Sequence, residues 1–488
     1  MSISSLWLLL YVAVASIGTF GCATMNQPPE FNPERWAPST TDAEWSARNL
    51  ARNELKLEPP FVPLTRRASG HDYDLASLID LALLQNPETR EAWQAARAAA
   101  AGWAIKRAPF YPLLSVSSES GYDRKIDLVP KHWSTLKNWQ SANLLTLNYL
   151  LIDFGRTHAT AEAAHEQLLA ANFEFNREIQ TIVFQVERNY YLLDAERAGL
   201  DAAQAIVRLA KTDLRAVNKR HAGGLATKPD VLLAEQREAK SAYELQNAEL
   251  GVRDAEADLA TAVGLQVNSM PHIQTSNTVS IPTSVKDSVD DLINAAMRQR
   301  PDLAAAMTNL SAKNAQVAFA RDSMYPTLNF SSYYGTNAFN YRLSNPPTPQ
   351  YTAMGPEYGA MLTLKWDVFA GMEHVNSIHQ AEHDRDRERA RLRATEIDVA
   401  GEVWRAYYAF ETSLKKYHYG LKLLTASQSA YYSNLRGFNN GLATIVDLLS
   451  AERDLADAKY TMIQSRAEVL ISAAAVAYAL GAIAPKQP

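Results

Sequence analysis

Apolar and polar residues alternate with a period of two in segments 142–152 and 358–369, which predicts two β-strands with one apolar face. Each follows another strand-like segment, 113–122 or 327–341, so each pair predicts an antiparallel hairpin. The apolar faces of the two returning strands carry Leu145, Leu147, Tyr149 and Leu151 in the first and Leu362, Leu364 and Trp366 in the second. Limbs of about ten residues match the strands of membrane barrels, although a soluble sandwich shows the same alternation.

Four strands are too few to close a barrel, and open strand edges are not tolerated in lipid. If the hairpins cross a membrane, hairpins from several copies of the chain must therefore combine. Beyond an apolar run near the amino terminus, no stretch of the sequence is long and apolar enough to cross a bilayer as a helix.

Helical periodicity dominates the rest of the chain. Before the hairpins, apolar residues recur at helical spacing from Leu75 and again over 289–320, and the first of these segments is interrupted by Pro87. After the hairpins, no proline occurs from Gly155 to Pro229, and none from 371 to 484. The breaks fall only at 221–224 and 439–441, so each first helix runs for about 65 residues, or roughly 100 Å.

Apolar residues in the first long helix recur at intervals of three and four, the spacing of a coiled-coil seam. These residues are Ile179, Val183, Val186, Tyr190 and Leu193. A helix of an ordinary large bundle is the alternative. The combination of such helices with membrane-type hairpins favours the coiled coil.

One motif occurs twice, 217 residues apart. The sequence Gly-Leu-Ala-Thr stands at 224–227 and 441–444, followed at equal spacing by an aspartate and a glutamate: Asp230 and Glu235 in the first copy, Asp447 and Glu452 in the second. A repeat of this length is too long for the short-period solenoids. The chain is therefore predicted to consist of two copies of one module, residues 71–283 and 284–488.

Residues 6–20 form an uncharged, mostly apolar run that is short for a membrane-spanning helix but typical of an export signal. The run leads to Cys22, the only cysteine of the chain. We expect a signal peptide at 1–21 and a lipidated cysteine, as in bacterial lipoproteins that carry palmitate. Cleavage after Ala23, with loss of the cysteine, is the alternative. Residues 22–70 are rich in proline and predict an extended arm that follows the lipid.

Composition excludes several classes of protein. With 48 basic and 53 acidic residues, the net charge of -5 gives no sign of nucleic-acid binding. The sequence contains neither a Gly-Lys-Ser/Thr phosphate loop nor a Gly-x-Ser-x-Gly elbow, so neither an enzyme nor a cofactor is predicted. His379 and His383 could share a metal on one helix face, but alternating charges surround them and no third ligand is placed, so no metal site is predicted.

The ordered motifs resemble the outer-membrane efflux family, the TolC-like and OprM-like channels, from about residue 71 to residue 484. The motifs that carry the resemblance are Leu-Ile-Asp-Leu-Ala-Leu-Leu-Gln-Asn-Pro at 78–87, Tyr-Pro at 111–112 and 325–326, Trp-Asp-Val-Phe-Ala-Gly at 366–371, and the two Gly-Leu-Ala-Thr turns. Their order and their duplication make the resemblance specific.

The resemblance implies a mainly α-helical fold with a membrane β-barrel. Three copies of the chain would form a homotrimer whose twelve strands make one barrel in the outer membrane, continued by a periplasmic tunnel of coiled-coil helices. The arm, the linker 266–286 and the last residues would form a belt around the tunnel. The implied function is a passive exit duct for small toxic molecules, served by a periplasmic adaptor and an inner-membrane pump of the resistance-nodulation-division type. Type I polypeptide secretion and a periplasmic scaffold without a pore are the alternatives.

The resemblance also assigns the two Gly-Leu-Ala-Thr turns to the periplasmic end of the tunnel. Asp447 matches a constriction aspartate of the family, and three copies around a threefold axis would bring like carboxylates together and offer cations a site. Asp230 is the corresponding candidate in the first copy. The alternative is that each aspartate only complements the dipole at the start of a helix.

The expected neighbourhood of the gate comprises Phe438, Thr444 and Ser450. Relatives often have a second acidic residue in place of Ser450, and some carry a gate-locking arginine in place of Ala443 or a tyrosine in place of Phe438. A double ring of carboxylates and a polar lock are therefore not expected in this chain.

Overall fold

The computed structural model describes residues 36–38, 40–42, 45, 73–129, 132–267, 273, 281–282, 287–343 and 350–482. The predicted signal peptide, Cys22, and most of the arm and of the 266–286 linker lie outside the described residues. The described residues form two compact units, each built from both sequence copies: those within 98–169 and 307–391 in the first, and those within 35–97, 170–306 and 392–482 in the second. The division into modules 71–283 and 284–488 stays a prediction.

The described residues form eight α-helices and four β-strands. In chain order they are α1 (Leu75–Gln85), α2 (Pro87–Arg107), β1 (Leu113–Val129), β2 (His132–Ile152), α3 (Arg156–Ala222), α4 (Lys228–Val263), α5 (Val289–Gln299), α6 (Pro301–Asp322), β3 (Thr327–Leu343), β4 (Tyr351–Lys365), α7 (Glu373–Asn439) and α8 (Ile445–Leu480). None of these helices combines the length and the apolar character needed to cross a membrane.

Prolines set the first helix boundaries, as predicted. Pro87 and Pro301 are the first residues of α2 and α6. Proline is tolerated there because the first turn of a helix leaves its backbone N–H groups unpaired. The helices before them begin with side-chain caps: Asp74 accepts the backbone N–H of Ser77 at the start of α1, and Ser288 caps α5 in the same way.

The two long helices confirm the prediction of uninterrupted segments of about 65 residues, because α3 and α7 each contain 67 residues. Each begins after a glycine with positive φ, Gly155 or Gly371, where a side chain would be strained. The predicted seam of α3 is buried in the second unit, together with residues of α1 and α4. Its members are Ile179, Val183, Val186, Tyr190 and Leu193.

The first unit contains one antiparallel sheet in the order β1-β2-β3-β4, which confirms the two predicted hairpins. The expected limb length of about ten residues is wrong, because the strands contain 17, 21, 17 and 15 residues. Backbone pairing continues beyond the alternating part, since the hydrogen bonds of the ladder need no apolar side chains. The predicted end of β4 at Phe369 is also wrong. β4 ends at Lys365, which pairs with Thr327 directly after Pro326.

The predicted apolar face of the sheet is present. One row crosses all four strands and consists of Val116, Leu145, Tyr334 and Tyr358, each at least 40% exposed in the isolated chain. The adjacent row on the other face contains Ser115, Thr146, Tyr333 and Gly359. An exposed row of apolar side chains across all four strands indicates a surface that meets lipid or another protein.

A second core of the second unit lies where α3, α4, α7 and α8 approach their turns. Its buried members are Val217, Val231, Ala234, Tyr431, Phe438, Ile445, Leu448, Ala451 and Leu455. Because all four helices contribute, this core holds the pair α3/α4 against the pair α7/α8. It therefore positions the two repeated turns.

Candidate functional site at the turns of the two helix pairs

The turn between α7 and α8 ends α7 with a Schellman motif. Gly441 has φ +76°, the left-handed conformation that favours glycine. The backbone N–H of Leu442 donates to the carbonyl of Gly437 at 2.8 Å, and that of Gly441 donates to the carbonyl of Phe438 at 3.1 Å. The same two bonds close the end of α3 around Gly224, so the repeated glycines have the same conformational role.

Thr444 and Asp447 form a capping box at the start of α8. The hydroxyl and the backbone N–H of Thr444 donate to Oδ2 of Asp447 at 2.6 and 3.0 Å, and the N–H of Asp447 donates back to the hydroxyl at 3.2 Å. These bonds stabilise the ionised carboxylate and hold the pKa of Asp447 below its ordinary value. The carboxylate is exposed and ionised at neutral pH.

The first turn repeats this arrangement with a different electrostatic environment. The backbone N–H and the hydroxyl of Thr227 donate to Oδ2 of Asp230 at 2.7 and 2.8 Å, and they lower the pKa of Asp230. Arg220 and His221 lower that pKa further, whereas no cation among the described residues contributes at Asp447. Both aspartates therefore cap the start of their helices, and a pore role for either residue stays a prediction.

The expected neighbours of the gate occupy different environments. Phe438 is buried, and Ser450 lies half-buried on α8, one turn after Asp447. Arg220 was not singled out from the sequence. Its guanidinium lies 4.4 Å from the centre of the Phe438 ring and donates to the Phe438 carbonyl, which joins the end of α3 to the end of α7.

Three charged side chains are buried between the two helix pairs. Glu452 of α8 is fully buried, and Asp213 of α3 and Arg237 of α4 are at most 9% exposed. Nε of Arg237 donates to Oε1 of Glu452 at 3.3 Å. Glu452 was noticed in the sequence only as part of the repeated motif, and Asp213 and Arg237 carried no signal of their own. We refer to these three residues as the buried charge cluster.

Burial sets the ionisation of the two acids. It raises the pKa of Asp213 to about 6 and that of Glu452 to about 7. Arg237 opposes the shift of Glu452, and the interaction between the two acids lowers the pKa of Asp213 and raises that of Glu452. Burial therefore favours a proton on the pair. Burial also raises the pKa of Tyr431, whose side chain stays neutral beside them.

The histidine pair considered from the sequence is exposed on α7. His379 Nδ1 lies 3.8 Å from Oε2 of Glu382. Within the described ranges, one set of three potential metal ligands converges elsewhere, on α3: Glu162, His165 and Glu166 have ligand atoms within 4.8 Å of one another. This set lies on a single helix with Glu162 exposed, as solvated acidic groups commonly do, and we assign no metal to it.

The chain is similar to known proteins over most of its length. The sequence matches the family model "Outer membrane efflux protein" over residues 78–265 and 292–482. Protein CyaE of Bordetella pertussis is 26% identical over 411 residues, which cover 84% of this chain and 84% of that protein. The antibiotic efflux pump outer membrane protein ArpC of Pseudomonas putida is 23% identical, with coverage of 97% and 95%. The solved structure of the outer-membrane channel OprN is similar with a TM-score of 0.70 and 20% identity, and the match covers 83% of this chain and 89% of that one.

Proposed function

Since the chain belongs to the outer membrane efflux protein family, we propose that it is the outer-membrane exit duct of a tripartite efflux system. The observation that carries the proposal is the family match across both copies of the repeat. The two strand hairpins and the long helix pairs are the elements such a duct requires. In this role the protein conducts passively and is not an enzyme.

The sheet supports assembly as a homotrimer. β1 and β4 are the edge strands of the four-stranded sheet, and among the described strands each pairs with one neighbour. Unpaired strand edges are costly in lipid, so further copies must cover them. Three copies supply twelve strands for one closed barrel, with the row of Val116, Leu145, Tyr334 and Tyr358 facing outer-membrane lipid. A lipid on Cys22 would add an anchor to each copy.

We assign small toxic molecules as the cargo. Support comes from ArpC, a relative named as part of an antibiotic efflux pump, which aligns with nearly the whole chain. A periplasmic adaptor and an inner-membrane pump of the resistance-nodulation-division type would supply substrate and energy. A deletion strain tested for antibiotic and dye susceptibility and for secreted polypeptides separates the possible cargoes. Unchanged susceptibility with loss of a secreted polypeptide would assign the duct to type I secretion.

Asp447 is our candidate for the constriction. Its carboxylate is exposed at a turn, ionised, and free of the positive charges that surround Asp230. Three copies near a threefold axis would form a ring of negative charge that binds cations. Thr444 and Ser450 flank the ring, and Asp230 is a weaker candidate because Arg220 and His221 offset its charge.

The duct is tested by extracting the protein from outer membranes with detergent and reconstituting it in planar bilayers. We expect trimers that dissociate on heating and give discrete single-channel conductance steps. A soluble monomer without conductance would instead indicate a periplasmic coiled-coil scaffold and would refute the proposal.

A further inference from the structure

The buried charge cluster joins the two helix pairs near their turns. Asp213 belongs to α3 and Arg237 to α4, whereas Glu452 belongs to α8. Tyr431 of α7 lies beside the acids, so all four helices meet at this point. The cluster lies seven or more residues before or after the turn residues Arg220, Thr227 and Thr444, which is about 10 Å or more along the helices.

The hydrogen bonding of the cluster is incomplete unless a proton is present. Oε2 of Glu452 and Oδ2 of Asp213 are buried, and no donor from the described part of the chain reaches either oxygen. Ionised carboxylates only accept hydrogen bonds, so two facing carboxylates cannot satisfy each other. One proton converts one of them into a donor and satisfies both. Both oxygens belong to the same buried cluster, where each acid affects the pKa of the other.

The charges around the pair agree with a single bound proton. α3 presents Asp213, α4 presents Arg237, α8 presents Glu452, and α7 presents the neutral Tyr431. Glu244 of α4 lies at the exposed side, 4.0 Å from Nη1 of Arg237. With one proton on the acid pair, Arg237 balances the remaining carboxylate. Without it, an uncompensated negative charge is buried, which is strongly unfavourable.

We propose that Asp213 and Glu452 form a proton-dependent contact that holds the pair α3/α4 against the pair α7/α8. When the proton is present, the contact stabilises the packing of the two pairs, and when it is lost, the contact favours their separation. The inference rests on the proposed function, because these helix pairs end in the turns that we assign to the constricted end of the duct. The contact therefore makes opening of that end depend on periplasmic pH.

The direction follows from proton linkage. In separated, solvated helix pairs the two acids have ordinary pKa values, below those of the packed state. The packed state therefore binds more protons, and its advantage decreases as pH rises toward 7. The single shared proton changes the ratio of separated to packed states by up to about tenfold per pH unit between the ordinary and the raised pKa values. We expect opening to increase with pH.

The experiment records open probability of the reconstituted trimer in planar bilayers between pH 5 and pH 8. The background is Asp447→Asn, so that titration at the proposed constriction does not contribute. We expect the ratio of open to closed states to rise by at least about tenfold over this range. Glu452→Gln keeps the shape of the side chain and supplies a permanent donor, and it should abolish most of the rise. Asp213→Asn provides a second variant of the same pair.

The matched control is Glu235→Gln. Glu235 occupies the same place in the first copy of the repeat, but it is exposed. This variant should keep the full pH dependence. A channel whose opening does not change with pH, or a pH dependence retained in both Glu452→Gln and Asp213→Asn, would overturn the inference and leave the duct intact. Absence of any conductance at every pH would instead contradict the proposed function.

Discussion

Arg237→Met should destabilise the protein more at alkaline than at acid pH. Arg237 is 9% exposed and donates to Oε1 of Glu452, which is fully buried. Methionine retains the length of the apolar stem and removes only the charge and the donors. Glu452 then loses its cationic partner, and its carboxyl can avoid a buried charge only by taking up a proton.

The size of the effect depends on the protonation of Glu452. Its pKa is already raised to about 7, so at pH 5.5 the carboxyl is protonated and the variant loses about 1–3 kcal/mol for the missing hydrogen bond. At pH 8 an unpaired buried carboxylate raises the cost to about 3–5 kcal/mol. The sign agrees with the raised pKa in the wild-type protein: the stability that Glu452 contributes is complete below its ordinary pKa of 4.5 and is lost as pH rises through about 7.

Thermal unfolding of the detergent-solubilised protein at pH 5.5 and pH 8 measures both values. The control is Arg453→Met on the same helix, because Arg453 is 58% exposed and its bonding partner is the exposed Asp454 at 3.1 Å. We expect the control to lose at most about 1 kcal/mol at either pH. Equal losses for Arg237→Met at the two pH values would refute the assignment of a titrating, buried Glu452.

Three further outcomes are expected. Asp447→Asn should raise the concentration of multivalent cations needed to block conductance by about tenfold or more, equivalent to about 1.4 kcal/mol. Asp230→Asn should have a smaller effect. If the block is unchanged in Asp447→Asn, that residue does not lie on the conducting path. Gly441 has φ +76°, so Gly441→Ala should reduce the stability of the protein by about 1–2 kcal/mol and speed amide hydrogen exchange at the end of α7. Unchanged exchange would show that the turn tolerates a side chain. Val116→Arg, on the row proposed to face lipid, should reduce the stability of the protein by about 2–4 kcal/mol and lower the yield of heat-stable trimers. Ser115→Arg on the opposite face should leave that yield unchanged. Equal yields for the two variants would contradict this orientation of the sheet.

Local sequence signals account for most of the fold. Proline at positions 87 and 301 and glycine at 224 and 441 act through their own backbone, so helix ends could be read without tertiary information. The positions at which the strands end were predicted less accurately. Whether backbone pairing continues depends on the partner strand, as at Lys365, where β4 ends because its partner begins at Thr327.

At the turns, the contacts within one segment could be predicted from the sequence, whereas the contacts between distant segments could not. Thr444 and Asp447 are three residues apart, so their capping box follows from local sequence. The bond from Arg220 to Phe438 joins residues 218 positions apart, and the bond from Arg237 to Glu452 joins residues 215 positions apart. Nothing in one sequence specifies which residues of two distant helix pairs face each other.

The apolar pattern nevertheless contained one usable signal for the cluster. Glu452 occupies a place in a stripe of α8 with spacing of three and four, whose other members Ile445, Leu448 and Leu455 are all buried. The equivalent stripe of the first copy contains Lys228, Val231, Glu235 and Glu238.

Because three of these four residues are charged, that stripe faces solvent at Glu235, and the same glutamate therefore has a different role in each copy. Asp213 adds a second difference between the copies. The residue at the equivalent place in the second copy is Ala430, which cannot share a proton with a glutamate. Duplication supplied two similar helix pairs. The two copies differ in the stripe around one glutamate, which is exposed in the first copy and forms a buried, titratable contact between the helix pairs in the second.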